Sequence, residues 1–124
     1  MSALLWECVR HNHAYLKKGH GPKALSAEEG NMTGIHNCKF SGFSGRRVAG
    51  LSVITRGKKQ TITLNTATPS DKAACPKKMF NKTGVSKNAK KATACFTRKL
   101  ALYRPDLVAA ASARYEKIKI SLRK

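Results

Sequence analysis

Apolar residues fall at two different spacings along this chain, and the change of spacing divides it. On the stretch Gln60 to Thr66, Ile62 and Leu64 alternate with threonines, and a second β-rich arm runs from Val48 to Thr55. Successive side chains of a strand point to opposite faces, so this alternation predicts a strand with one buried face. The four residues Arg56-Gly57-Lys58-Lys59 lie between the arms and predict a hairpin with a basic tip. From Ser86 onward the step becomes helical. At about 100° per residue, Ala89, Ala92, Phe96, Leu100 and Tyr103 share one narrow sector, and Lys87, Lys90, Lys91 and Arg98 share the sector almost opposite. This helix is expected to end near Tyr103-Arg104-Pro105, because the residue before a proline disfavours the helical region. Pro105 suits the first turn of a second helix, and Asp106 complements its positive end. Leu107, Val108, Ala111, Tyr115, Ile118 and Leu122 then fall on one side of it.

The remaining segments are less periodic. Ser2 is a candidate cap for a short helix with Leu5, Cys8 and Val9 on one side, and His13 to Lys17 reads as extended. Residues 19–34 (GHGPKALSAEEGNMTG) hold four glycines and a proline and predict turns and loop. Cys38 to Ser41 is a short strand candidate, followed by the turn-rich SGFSG and by Arg46-Arg47. Residues 66–84 show no clean period, contain Pro69 and Pro76, and predict an irregular basic loop. The expected fold class is α+β: a small antiparallel sheet with a short N-terminal helix and two C-terminal amphipathic helices. At 124 residues the chain has room for one core, so residues 1–124 are expected to form one domain with a basic end at 117–124.

Charge changes the picture most. Lys and Arg total 25 against 6 Asp and Glu, a formal net charge of +19. Between Asp71 and Asp106 lie Lys72, Lys77, Lys78, Lys82, Lys87, Lys90, Lys91, Arg98, Lys99 and Arg104, with no acid among them. Such a chain repels itself unless a polyanion is present, either nucleic acid or an anionic membrane face. No apolar run approaches the roughly 20 residues of a membrane span, and the opening MSALLWECVR lacks the length of a secretory signal. Lys and Arg with only 6% aromatic residues point to recognition of nucleic-acid backbone and shape rather than base sequence. The hairpin tip (Arg56, Lys58, Lys59) and the helix ridge (Lys87, Lys90, Lys91, Arg98) are the corresponding candidates.

Catalytic and metal chemistry are not expected. Cys8, His11, His13 and Cys38 could be drawn around zinc, but no CxxC pair supplies two ligands from one turn. The four cysteines, Cys8, Cys38, Cys75 and Cys95, read as reduced, buried or half-buried thiols. A cationic ribonuclease needs two histidines and a lysine on one phosphate, and the histidines here cluster in the first 36 residues without an orienting pattern. No phosphate-cradling loop of the GxxxxGK[ST] type occurs, and the acids form no catalytic pair. The triplets at Asn31 and Asn81 fit the glycosylation pattern but matter only in a secreted chain. The glycines of SGFSGRRVAG read as turn formers, with Arg46 and Arg47 free to bind. Trp6 is expected in the core, whereas Phe43, between glycines, suits either packing or base stacking, as does Phe40.

Several blocks, in order, resemble a known family. MSALLWECVR followed by Asn12, NCKFSGF at Asn37 to Phe43, KNA at Lys87 to Ala89 and above all YRPDL at Tyr103 to Leu107 are similar to the eukaryotic large-subunit ribosomal protein twenty-eight family, from Met1 to about Tyr115. The resemblance implies a non-enzymatic α+β protein, without cofactor, on the solvent-facing part of the large cytoplasmic subunit, assembled via the nucleolus and held by ribosomal RNA beside neighbouring ribosomal proteins. Carried over by position, Asn37, Lys39, Arg46, Arg47, Lys87, Asn88 and Arg104 would face RNA. Thr55 to Lys82 departs from the family pattern, and relatives carry a longer basic tail than the one ending at Lys124. A related domain opens a nucleolar biogenesis factor that continues into a long acidic region, which is not found here. The rival readings are that biogenesis role, a free non-specific nucleic-acid binder, and a secreted cationic nuclease.

Overall fold

The computed structural model describes residues 2–19, 21, 23–68 and 78–123. In chain order the elements are α1 (Ser2–Val9), β1 (Leu16–Lys17), β2 (Leu25–Ser26), β3 (Ala49–Arg56), β4 (Lys59–Ala67), β5 (Phe80–Gly84), α2 (Ala89–Leu100) and, after a 3-10 turn at Pro105–Leu107, α3 (Val108–Ser121). β1 and β2 pair as a two-stranded antiparallel ribbon, and β3, β4 and β5 form a three-stranded antiparallel sheet in that order. The α+β class read from the spacing is the one observed.

The period-two pattern of the hairpin explains how its sheet seats on the helices. Leu51 lies opposite Leu64 and Val53 opposite Ile62 in the β3–β4 register, so one face collects the large apolar side chains. That face packs on Ala92, Phe96 and Leu100 of α2 and on Ala111 and Tyr115 of α3, with Leu107, Met32, Ala49 and Val85 completing the core. The Phe96 and Tyr115 rings meet edge to face at 5.7 Å between centroids. Two tyrosine hydroxyls tie the helical half to residues beside the sheet: Tyr103 Oη accepts from the Val48 amide at 3.1 Å, and Tyr115 Oη donates to the Ser86 carbonyl at 2.8 Å. Gly57 turns the hairpin with φ +58°, a conformation that a side chain would strain.

The other face of the sheet is polar yet covered. Asn65, fully buried, donates to Ser52 Oγ at 2.9 Å, and Ser52 and Thr63 share a hydroxyl contact of 3.0 Å. Over it runs the segment Glu28–Asn31, which approaches so closely that a Cβ on Gly50 would sit 2.0 Å from the Glu29 carbonyl oxygen. Asn31, also buried, accepts from the Thr33 and Gly34 amides and donates to the Ile35 carbonyl, so the first glycosylation triplet is folded into a turn. Arg114 of α3 then clamps this turn, its Nη1 donating to the Asn31 and Met32 carbonyls at 3.0 and 2.9 Å.

Several local expectations are corrected. Cys38 to Ser41 is a turn closed by the Phe40 and Ser41 amides on the Asn37 carbonyl, not a strand. Both ends of the supposed 66–84 loop are sheet, because β5 pairs Phe80 with Ala67 and Gly84 with Thr63; Pro69 and Pro76, with Cys75, lie outside the described residues. The loop assigned to 19–34 contains β2, and the extended run from His13 shrinks to Leu16–Lys17. Trp6 is half-buried against His36, with ring centroids 4.9 Å apart, rather than in the core. Ala89 is exposed at the start of α2, and Cys8 and Cys38 are exposed free thiols, Cys95 a half-buried one. The Ser2 cap concerns a side chain outside the described set.

Candidate nucleic-acid interface

The geometry of α2 follows from its cap. Asn88 stands in an extended conformation and its Oδ1 accepts from the Lys90 amide at 3.0 Å, satisfying one of the free donors of the first turn. Burial of Ala92, Phe96 and Leu100 fixes the rotation of the helix about its axis. Lys87, Lys90, Lys91 and Arg98 are consequently all exposed, and none forms an ion pair with a described acid. The first turn of α2 holds no acidic residue, so Lys90 and Lys91 sit at the positive end of the helix dipole. Their placement raises the local potential rather than balancing it.

Lys87 also borders a pocket of about 240 Å³ whose walls include Lys119 and Arg123, with Ile62, Tyr115 and Leu122 as its apolar floor and Gln60 of β4 at the rim. The base of the ridge therefore meets the hairpin close to its tip. Arg56 and Lys59 face each other in register at the tip, and Lys58 is exposed beside them. A second groove, about 400 Å³, runs between Arg56, Lys59, Thr61, Thr63, Lys82 and Gly84. Lys82 reaches it from β5 and also pairs with Glu29 at 3.0 Å.

The third group gathers around Arg104. Its Nε and Nη2 donate to the two carboxylate oxygens of Asp106 at 3.0 and 2.9 Å, and Nη1 donates to the Arg47 carbonyl at 3.0 Å. Nη2 also lies 3.4 Å from the Lys39 carbonyl. One guanidinium thus joins the Pro105 turn to the backbone on both sides of the 40–46 loop. The hydrogen bonds from Arg104 hold the Asp106 carboxyl below its usual 3.8, and the same pair raises the Arg104 pKa. Lys39 Nζ stands 4.0 Å from Asp106 and 5.7 Å from the Phe40 ring centre. Arg46 and Arg47 are exposed. Asn37 Oδ1 accepts from the Lys39 amide at 3.2 Å, which shapes the turn that presents Lys39.

The candidate residues thus fall into two kinds. Lys39, Arg46, Arg47, Arg56, Lys58, Lys59, Lys87, Lys90, Lys91 and Arg98 present exposed cationic side chains. Asn37, Asn88 and Arg104 have polar atoms engaged within the chain. Sequence reading missed Lys82, Lys119 and Arg123 as members of basic pockets. For Lys82 the sequence carries little signal, since Phe80 is the one large apolar residue of Phe80–Gly84. Among the described residues, the side chains of metal-ligand type that converge are His13, Glu28 and His36; Cys8, His11 and Cys38 do not join them.

The chain is thus a small α+β fold with exposed cations, unneutralised by any described acid, on a helix ridge and a hairpin tip. Residues 4–121 match the Ribosomal L28e protein family, and the chain belongs to that family. It is 33% identical to the large ribosomal subunit protein eL28 of Dictyostelium discoideum over 121 residues, which cover 97% of this chain and 87% of that protein.

Proposed function

We propose that this chain is a structural constituent of the large ribosomal subunit that binds folded ribosomal RNA through phosphate contacts and catalyses nothing. The observation that carries this reading is the first turn of α2. Lys90 and Lys91 occupy a position where an isolated helix is stabilised by acids, and no described acid compensates them. A phosphate close to that turn meets the lysines, the free amides and the dipole together. The hairpin tip and the basic pockets extend the same chemistry, and family membership supports the ribosome as its setting.

Residues 1–124 act as one RNA-binding unit in this reading. Lys87, Lys90, Lys91 and Arg98 form one contact strip, Arg56, Lys58 and Lys59 a second, and Lys39, Arg46 and Arg47 a third. Asn37, Asn88 and Arg104 hold the backbone that presents them. The protein resides in cytoplasmic ribosomes, joins the subunit in the nucleolus and touches neighbouring ribosomal proteins.

Sucrose-gradient sedimentation of a lysate, before and after a high-salt wash, tests the reading. Stoichiometric residence in large-subunit and ribosome fractions that survives salt is the expected outcome. Recovery only at the top of the gradient would instead favour a free nucleic-acid binder.

A further inference from the structure

Glu28 is a carboxylate at 3% exposure in a protein otherwise flooded with cations, yet no described Lys or Arg pairs with it. It accepts hydrogen bonds from the Ser26 and Ser41 hydroxyls and from the Gly42 amide. A buried charge of this kind needs a counter-charge. What faces it is a pair of imidazoles: His13 Nε2 lies 3.7 Å from Glu28 Oε1, and the same nitrogen lies 3.4 Å from His36 Nδ1. The His13 side chain is 8% exposed and that of Glu28 2%.

We propose that His13, Glu28 and His36 form a site for a divalent transition-metal ion of the zinc type, which clasps the N-terminal segments together. The spacing is the first argument. With metal–ligand bonds of 2.0–2.2 Å, tetrahedral donors stand about 3.3–3.6 Å apart, close to both observed separations. All three ligand atoms lie within 4.8 Å of one another.

The arrangement around the donors is the second argument. His36 Nε2 lies 2.9 Å from the Arg10 carbonyl and donates to it, which leaves the Nδ1 lone pair aimed into the cluster. Two serine hydroxyls and an amide orient the carboxylate in the same way. The Tyr15 amide donates to His13 Nδ1 at 3.3 Å, a long contact that would be given up on loading, since a metal on Nε2 requires the proton on Nδ1. Two imidazoles and one carboxylate suit zinc in preference to magnesium or calcium. A water completes the fourth position. The ion joins the turn after α1, the segment after β2 and the stretch before the Asn37 turn, and through Arg10 it fixes the end of α1.

The test is titration of the full chain with Co²⁺, followed by displacement with Zn²⁺. Uptake of one equivalent is expected, with visible ligand-field bands of a tetrahedral nitrogen and oxygen site and no sulfur charge-transfer band. His36→Gln and His13→Gln abolish the uptake, whereas Cys8→Ser and Cys38→Ser leave it unchanged. A parallel measurement uses intact large subunits, where replacing the chain by the His36→Gln variant lowers the zinc content by one ion per subunit. The titration does not depend on residence in the ribosome, so its result separates this proposal from that reading. No uptake by the wild-type chain together with unchanged zinc in the subunit would overturn the site. A thiolate band that Cys38→Ser removes would overturn it as well.

Discussion

Replacing Lys90 and Lys91 by glutamate should move stability and RNA affinity in opposite directions. Both residues lie in the first turn of α2, where the helix dipole amounts to about half a positive charge. Each unit charge there changes helix stability by about 0.3–1 kcal/mol at low ionic strength, and the double reversal changes four, so it should stabilise the isolated chain by about 1–4 kcal/mol. Lys91 also stands three residues after the Asn88 cap, the position from which a glutamate reaches back to the cap amide. The expected rise in melting temperature is about 3–15 °C. Because exposed charge is screened within about 3 Å at 1 M salt, the gain should vanish there. Affinity for deproteinised large-subunit RNA, read by fluorescence anisotropy, should fall instead. Each phosphate contact contributes about 0.7–0.9 to the slope of log affinity against log salt, so losing two flattens that slope by about 1.5. A lower melting temperature would mean the lysines support the fold. An unchanged salt slope would mean the ridge does not meet phosphate.

Three further outcomes follow from the packing. Phe96→Ala empties a fully buried ring site against Tyr115 and should cost about 3–5 kcal/mol, read as a lowered urea midpoint; a shift within error would refute the assigned core face. Gly50→Val places a side chain against the Glu29 carbonyl, so the Glu28–Asn31 segment must lift from the sheet, and proteolysis near Glu29 should accelerate sharply. The Asp106 carboxyl is held below 3.8 by Arg104, so its contribution is present above the unfolded value and lost as pH falls through the folded one. Asp106→Asn should therefore flatten the fall of stability below about pH 4, and an unchanged acid limb would count against the pairing.

The helices and the hairpin were legible because each depends on one face meeting one core. Phe96 and Leu100 repeat at helical spacing, Ile62 and Leu64 at strand spacing, and burial rewards both patterns locally. The strand Phe80–Gly84 was illegible for a different reason. Its pairing partner is β4, reached only across the 69–77 stretch, and its side chains are half-exposed, so hydrophobic alternation is weak. Glu28 looked like loop acidity because its burial comes from segments distant in sequence, with Gly42 and Ser41 contributed by the turn after Asn37. His13 and His36 are separated by 23 residues, and no motif spacing encodes a contact between segments that flank the β1–β2 ribbon on either side.

The two routes to the interface found different kinds of residue. Charge counting found Arg56, Lys58, Lys59, Lys90, Lys91 and Arg98, which present exposed cations that pair with no acid among the described residues. The family blocks add Asn37, Asn88 and Arg104, whose polar atoms are engaged in a turn, a cap and a bidentate ion pair. A cation on a solvated face can move by a residue and still reach a phosphate, so its position leaves a compositional trace. A cap or a guanidinium fork works only at one place, so it leaves a motif. Arg104 is the clearest case: it donates to backbone at Arg47 and Lys39 while gripping Asp106, and those two cations flank the loop it closes. Replacing it by lysine keeps the charge but loses the fork, and should weaken RNA binding by loosening Lys39 and Arg47. If Arg104→Lys binds RNA with unaltered affinity and salt slope, presentation by the frame is not what positions those cations.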